Sequence, residues 1–353
     1  MKISEPPSGR RPKPKNMRKL SLFILCSVLI FSCSNSKDSV EEDLESISSD
    51  PLPSWNEGGT KEAITSFVNS VTDPESKDFV EVKDRIATFD NDGNLWAEQP
   101  VYFQLYFALD LIKEMAVDHP EWESDPLFSA VLADDLITVS SFGEEGLINI
   151  IMASHSGMNT DQFELAVADW ITTAKHPETG KLYTEMIYQP MLELIKYLQA
   201  NDFKVFIVSG GGIEFMRVWA EDVYGIPKDQ IIGSSIETVF DIIDGDPMIL
   251  RLPKLGFIND KGGKPVAIQH HIGRKPIFAS GNSDGDLQML QWSDENDLPS
   301  FQLYLHHTDA EREWAYDRDS HVGKLDKGLD EAAAKGWTVI DMKEDWKVVW
   351  LFE

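Results

Sequence analysis

The chain has 353 residues, room for about two domains at roughly 150 residues each. Its 60 Asp and Glu against 32 Lys and Arg leave a net charge of −28. That excludes nucleic acid and anionic membrane surfaces as expected partners, because both need clustered cations. Hydrophobic residues at 42% supply a core and exclude a disordered chain, and 2 Cys exclude a disulfide framework.

Residues 1–20 hold seven cations (Lys2, Arg10, Arg11, Lys13, Lys15, Arg18, Lys19) and one acid, Glu5. An apolar stretch over residues 20–31 follows, too short to span a bilayer but right for a signal-peptide core. It ends in Ile30-Phe31-Ser32-Cys33, which resembles the lipobox of bacterial lipoproteins, where a small residue precedes a cysteine that becomes lipidated and N-terminal. The resemblance implies a signal peptide at 1–32, a lipid on Cys33, and a protein anchored in the cell envelope, periplasmic or surface-facing. The membrane is then reached only through that lipid. Met17, followed by Arg18 and Lys19, offers a second start with a compact positive head. Cys26 leaves with the signal, so no free thiol remains, as suits an oxidising compartment. Residues 33–56 read as a solvated acidic tether. No later segment has 18 consecutive apolar residues.

Residues 61–71 place Ile64, Phe67, Val68 and Val71 at helical spacing. Residues 85–89 form a short apolar strand that runs into Asp90-Asn91-Asp92-Gly93. From 98 to about 173 the pattern is helical and aromatic, broken near Pro120, Pro126, Gly143 and Gly157. Residues 189–199 are helical, 204–208 are a buried strand ending in Ser209-Gly210-Gly211-Gly212, and 213–223 are the next helix. Ile231-Ile232 starts a strand, and runs 238–243 and 248–252 flank Asp244-Gly245-Asp246-Pro247, a hairpin-turn pattern. A helix over 265–272 and strands over 276–279 and 301–305 follow, with short runs near Val339 and Val348 to close the sheet. Strands alternating with helices predict a Rossmann-like, doubly wound parallel α/β sheet. The long helical insert after the first strand predicts a cap over 97–186, with a core of 57–96 and 187–353. There is no internal repeat.

Ligands of an open parallel sheet gather at the carboxyl ends of its strands. Three strands here end in polar, glycine-containing turns: Asp90 to Gly93, Ser209 to Gly212, and Gly281-Asn282-Ser283-Asp284-Gly285-Asp286. Asp-x-Asp-Gly also fits a calcium loop, but such a loop needs Gly at its sixth position and Glu at its twelfth. From Asp90 those positions are Leu95 and Val101, and from Asn282 they are Leu287 and Ser293.

Together the turns resemble the motifs of the haloacid dehalogenase superfamily, and within it the phosphoserine-phosphatase-like phosphohydrolases. Phe89-Asp90-Asn91-Asp92-Gly93-Asn94-Leu95 looks like the first motif, Val208-Ser209-Gly210-Gly211 the second, Lys264 the third and Gly281 to Asp286 the fourth. The likeness spans about residues 60–353 and rests on the order and spacing of all four. It implies Asp90 as nucleophile, forming an aspartyl-phosphate, and Asp92 as acid and then base. Ser209 and the Gly210 amide would hold phosphate oxygens. Lys264, 20 residues before Asp284, would neutralise charge, with Lys261 as the fallback. Mg²⁺ is implied, held by Asp90, the Asp92 carbonyl and a fourth-motif side chain. Asn282 stands where the family usually has Asp, and Asn94 where it usually has Thr. Asn282 and Asp284 remain alternatives as the direct ligand, with Asp286 further out.

The implied function is hydrolysis of a small phosphorylated substrate. A phosphomutase or phosphotransferase would use the same two aspartates, and a non-catalytic phospholigand-binding lipoprotein would keep the cradle alone. Export disfavours the first, and only Asn282 favours the second. His270-His271 and His306-His307 read as surface or strand-end pairs rather than zinc ligands. His306, Asp309, Asp317, Asp319 and His321 form a polar cluster near the predicted rim, read as surface loop. Trp96, Gln99 and Tyr102 read as core with a possible view of the leaving group.

Overall fold

The structure, a computed structural model, describes residues 50–353. The signal peptide, Cys33 and all of the tether before Asp50 lie outside the described residues. Among the described residues no helix is long and apolar enough to cross a membrane.

Seven strands form one sheet: β1 (Ile86–Phe89), β2 (Lys204–Gly212), β3 (Ile231–Ile243), β4 (Asp246–Phe257), β5 (Phe278–Gly281), β6 (Phe301–His306) and β7 (Thr338–Asp341). Their order is β4-β3-β2-β1-β5-β6-β7, and every pair is parallel except the β3–β4 hairpin. The hairpin turns at Asp244 and Gly245, both at positive φ, as a two-residue turn of matched twist requires. Val339 closes the sheet within β7. Val348 does not join it: that stretch instead packs Val349 and Trp350 into the core and bridges Tyr188.

All four residues of β1 are buried, because helices cover both faces of a parallel sheet. One face packs on α1 (Gly59–Thr72), α7 (Gln189–Ala200) and α8 (Ile213–Tyr224), through Ile64, Val68, Leu194, Ile195 and Trp219. The other packs on α9 (Gly263–His271), α10 (Leu287–Asp294) and α11 (Lys327–Lys335), through Ile268, Leu290 and Ala332. Between β1 and α7 the chain makes α2 (Phe103–Met115), α3 (Pro126–Leu132), α4 (Leu136–Ser141), α5 (Gly143–His155) and α6 (Thr160–Ile171). Leu109, Ile112, Trp122, Val131 and Ile150 give the first four of these a cluster of their own. An insert with its own apolar cluster can sit above the sheet rather than in it.

β1 is where the order reverses: the chain goes to β2 on one side and later returns to β5 on the other. Such a switch point opens a crevice at the carboxyl ends of the flanking strands.

Candidate active site

Neighbouring strands β2, β1 and β5 deliver Ser209, Asp90 and Asn282 side by side at that crevice. The Asp90 amide still donates to Ser280 O of β5 at 2.9 Å, so the nucleophile candidate starts from a strand backbone rather than a mobile loop. Just beyond it Gly93 sits at φ +72, and a Cβ there would strike Asn282 and Glu98. Only glycine fits that turn. The Asn94 amide donates to Asp90 O at 3.1 Å, and its oxygen accepts from Ser280 Oγ at 3.0 Å, so the buried Asn94 ties β1 to β5.

Lys264, 2% exposed, reaches in from α9. Its Nζ donates to Asp90 Oδ1 at 2.6 Å, Asp286 Oδ1 at 2.5 Å and Val208 O at 2.9 Å. Lys261 is exposed and faces Asp260. One ammonium thus serves two buried carboxylates. Burial and the charge of Asp286 push the Asp90 carboxyl up to about 8 against the pull of Lys264. Burial opposes the Lys264 charge, but Asp286 and Asp90 outweigh it and its pKa rises.

Burial also raises Asp92. Trp96 Nε1 donates to Asp92 Oδ1 at 2.7 Å and itself stacks on Trp219 at 4.2 Å. Trp96 is therefore core, as read from sequence, and also the group that aims Asp92. Tyr102 lines the crevice, whereas Gln99 turns away to donate to Val322 O.

The fourth motif divides its labour. Asn282, 1% exposed, donates through Nδ2 to Glu98 Oε1 at 2.6 Å, and its Oδ1 is buried without a partner. Asp286 spends Oδ1 on Lys264 and Oδ2 on the amides of Asn282 and Ser283 at 3.0 and 3.1 Å. It shapes the loop. Asp284 Oδ1 accepts from the Asp326 and Gly328 amides at 3.0 and 2.9 Å, at the start of α11. Asp284 thus spends one oxygen at a helix N-terminus, whereas Asn282 Oδ1 is buried and unpartnered.

The residues that the resemblance implies as cation ligands are Asp90, Asp92 through its carbonyl, and a fourth-motif side chain, of which Asn282 Oδ1 is the one buried without a partner. That hard-donor set, with one orphaned buried acceptor, suits Mg²⁺. Among the described residues no group of three or more His, Cys, Asp or Glu forms a ready metal site.

Several residues here carry no sequence signal. Glu98 is wholly buried, bonded also by Tyr316 Oη at 2.8 Å, and burial raises its pKa well above the usual range. Asn259 Nδ2 donates to Ser209 O at 2.9 Å and braces the second motif. The Gly212 amide donates to Gln104 Oε1 at 2.7 Å, Gln104 Nε2 faces His155 Nε2 at 3.0 Å, and His155 Nδ1 faces Ser154 Oγ at 2.7 Å. Burial, helped by Arg251, pushes His155 down to about 3, so its ring is neutral and closes this relay from α5 to the glycine turn. His307 is buried against Gly93 O at 2.7 Å and Glu313 at 3.1 Å, an anchor for the Asp90 turn. His270 and His271 are exposed on α9. Asp309 pairs with Arg312 and His306 with Asp317, and the predicted rim cluster does not line the crevice.

A family model described as haloacid dehalogenase-like hydrolase matches residues 87–291. That span is more than half the chain and holds Asp90, Ser209, Lys264 and Asn282, so the chain belongs to the haloacid dehalogenase-like hydrolases. Among solved structures, a conserved protein of unknown function from Anaerococcus prevotii DSM 20548 aligns with TM-score 0.54 and 15% identity, covering 82% of this chain and 94% of that one. It shares the fold. A protein with unknown function from Bordetella pertussis Tohama I aligns with TM-score 0.46 and 16% identity, over 73% of this chain and 98% of that one. A phosphoserine phosphohydrolase-like protein from Francisella tularensis subsp. tularensis SCHU S4 aligns with TM-score 0.37 and 15% identity, over 71% and 99%. No curated protein matches the chain.

Proposed function

We propose that this protein is a Mg²⁺-dependent phosphomonoester hydrolase that forms an aspartyl-phosphate on Asp90, and that it is lipid-anchored in the cell envelope through Cys33. The observation that carries the chemistry is convergence: Asp90, Asp92, Gly210 and Lys264 line one strand-end crevice, with Lys264 Nζ 2.6 Å from Asp90 and the buried Ser209 side chain bonded to Asp92 just behind it.

An Asp90 oxygen attacks phosphorus and the bond from phosphorus to the alcohol oxygen breaks. Asp92, which burial favours in its protonated form, gives its proton to that oxygen. As a carboxylate it then takes a proton from the water that cleaves the acyl phosphate, which returns Asp90 and free phosphate. Ser209, the Gly210 backbone and Lys264 hold the phosphate oxygens. Mg²⁺ would be held by Asp90, the Asp92 carbonyl and Asn282 Oδ1, and when bound it screens the carboxylate from the phosphate dianion. Helices α2, α5 and α6 serve as the cap that limits water.

Turnover of p-nitrophenyl phosphate with and without Mg²⁺ tests the reading. Asp90→Asn abolishes it, because an amide does not attack phosphorus. Asp92→Asn lowers it by roughly 10²–10⁴, the span for a lost general acid and base. Wild-type turnover by Asp90→Asn would overturn the mechanism. Intact mass tests the anchor: the expected mature chain starts at an acylated Cys33, and Cys33→Ser releases it or leaves the signal uncleaved.

A further inference from the structure

We propose that the alcohol half of the substrate is apolar: the site takes phosphomonoesters of bulky alkyl or aryl alcohols rather than those of amino acids, sugars or polyols. This rests on the phosphohydrolase reading and concerns the same site.

A cavity of about 390 Å³ runs from Asp90 and Asp92 out between the inserted helices and the β3–β4 hairpin. That is within the roughly 300–1,000 Å³ of small-molecule sites and exceeds what a phosphate needs. Beyond the phosphate cradle its walls include Leu105 of α2, Ile151 of α5, Phe163 of α6, Phe215 of α8, Ile236 of β3 and Leu255 of β4, with the hydroxyl-bearing Tyr102, Ser234 and Ser235 among them. The apolar character continues to the rim, where Leu147, Leu255 and Ile258 are 40%, 36% and 54% exposed. A rim of exposed large aliphatics around a cavity suits an apolar ligand.

The charged side chains of this wall are already committed. Arg251, 4% exposed, pairs with Glu214, lies 3.7 Å over the Phe163 ring and donates from Nε to His155 O at 2.7 Å. Glu214 is thus its counter-charge, while Nη1 itself makes no hydrogen bond among the described residues. Gln104 and the neutral His155 are bound to each other and to the glycine turn. Asp260 faces Lys261, and Glu98 is held by Asn282 and Tyr316. A substrate ammonium or carboxylate placed here would lose water and find, among the described lining residues, no charge without a partner. A hydrocarbon loses nothing.

The test uses the full-length protein with Mg²⁺ and compares kcat/KM for ethyl, butyl, hexyl and phenyl phosphates with phosphoserine, glycerol 3-phosphate and glucose 6-phosphate. The expected result is a rise of about fourfold per methylene until the cavity fills, the factor one buried CH₂ contributes. Phenyl phosphate outruns all three polar esters. Leu255→Gln, at a half-exposed position the fold tolerates, flattens the series. In parallel, binding of the matching alkylphosphonates to Asp90→Asn is measured by calorimetry, where the same chain-length trend is expected. Turnover with a flat or falling series, or with a polar ester preferred, overturns the inference and leaves the hydrolase reading standing. No turnover of any ester, with phosphonate affinity still climbing with chain length, overturns the hydrolase reading and upholds the apolar pocket. No turnover and no trend overturns both.

Discussion

Asp90→Asn is expected to stabilise the metal-free protein, and increasingly so as pH rises. In the folded state the Asp90 carboxyl is raised from 3.8 to about 8, first by burial and then by Asp286, with Lys264 opposing. The folded state therefore holds a proton that the unfolded chain gives up above about pH 4. The stability contributed by this proton is present in full below the unfolded value and is lost as pH climbs through the folded one. A single such group has a slope of up to about 1.4 kcal/mol per pH unit. Between pH 5 and 8 the neutral Asn side chain escapes up to about 4 kcal/mol of that loss. Urea unfolding of both proteins in EDTA, at unit steps over that range, measures the difference. The expected curves separate steadily from pH 5 towards pH 8, with the variant the more stable. Adding Mg²⁺ narrows the gap at pH 8, because the cation stabilises ionised Asp90 in the wild type and finds one ligand fewer in the variant. Parallel stability curves in EDTA would refute the account of two buried carboxylates sharing one ammonium.

Asn282→Ala is expected to raise the Mg²⁺ concentration for half-maximal turnover, because it deletes the orphaned Oδ1, whereas Asp284→Ala leaves that titration alone and costs about 1 kcal/mol of thermal stability as a lost helix cap. A metal titration shifted by Asp284→Ala and not by Asn282→Ala would reverse the assignment. Trp96→Phe keeps the stack on Trp219 but loses the 2.7 Å bond to Asp92, and a kcat about tenfold lower with KM little changed is the outcome to look for in steady-state kinetics. Gln104→Ala frees the Gly212 amide from its partner, so inhibition by inorganic phosphate should weaken several-fold, and unchanged phosphate affinity would count against the relay.

What the chain reveals by itself is whatever depends on neighbours in sequence. Period and punctuation located the strands that lead to Asp90, Ser209 and Asn282, because a fully buried parallel strand must be an apolar run, although β2 continues as strand through its glycines to Gly212. Motif spacing pointed to Lys264, with Lys261 as the fallback, and it is Lys264 that lies buried against Asp90. The hairpin at Asp244-Gly245 was legible from its turn residues, though its strands reach further than the apolar runs suggested, to Phe257 on one side, since cross-strand bonds extend pairing over polar positions. Val348 read as a strand because an apolar run looks the same whether it pairs in a sheet or packs against one.

Only the tertiary structure decided how the acids share their work. Asp284 and Asp286 stand two residues apart in one turn, yet one caps α11 and the other grips Lys264, a division set by which distant backbone and side chain each meets. Glu98, Gln104, His155 and Arg251 have no local pattern at all. Their roles arise because the insert folds back over the sheet and brings α2 and α5 against the glycine turn and the hairpin. Side chains far apart in the chain then satisfy one another in a space that excludes water, where an unpaired polar group is costly. Sequence order carries no record of that closure, so the strand ends with their polar turns were readable in advance and the shape of the cavity above them was not.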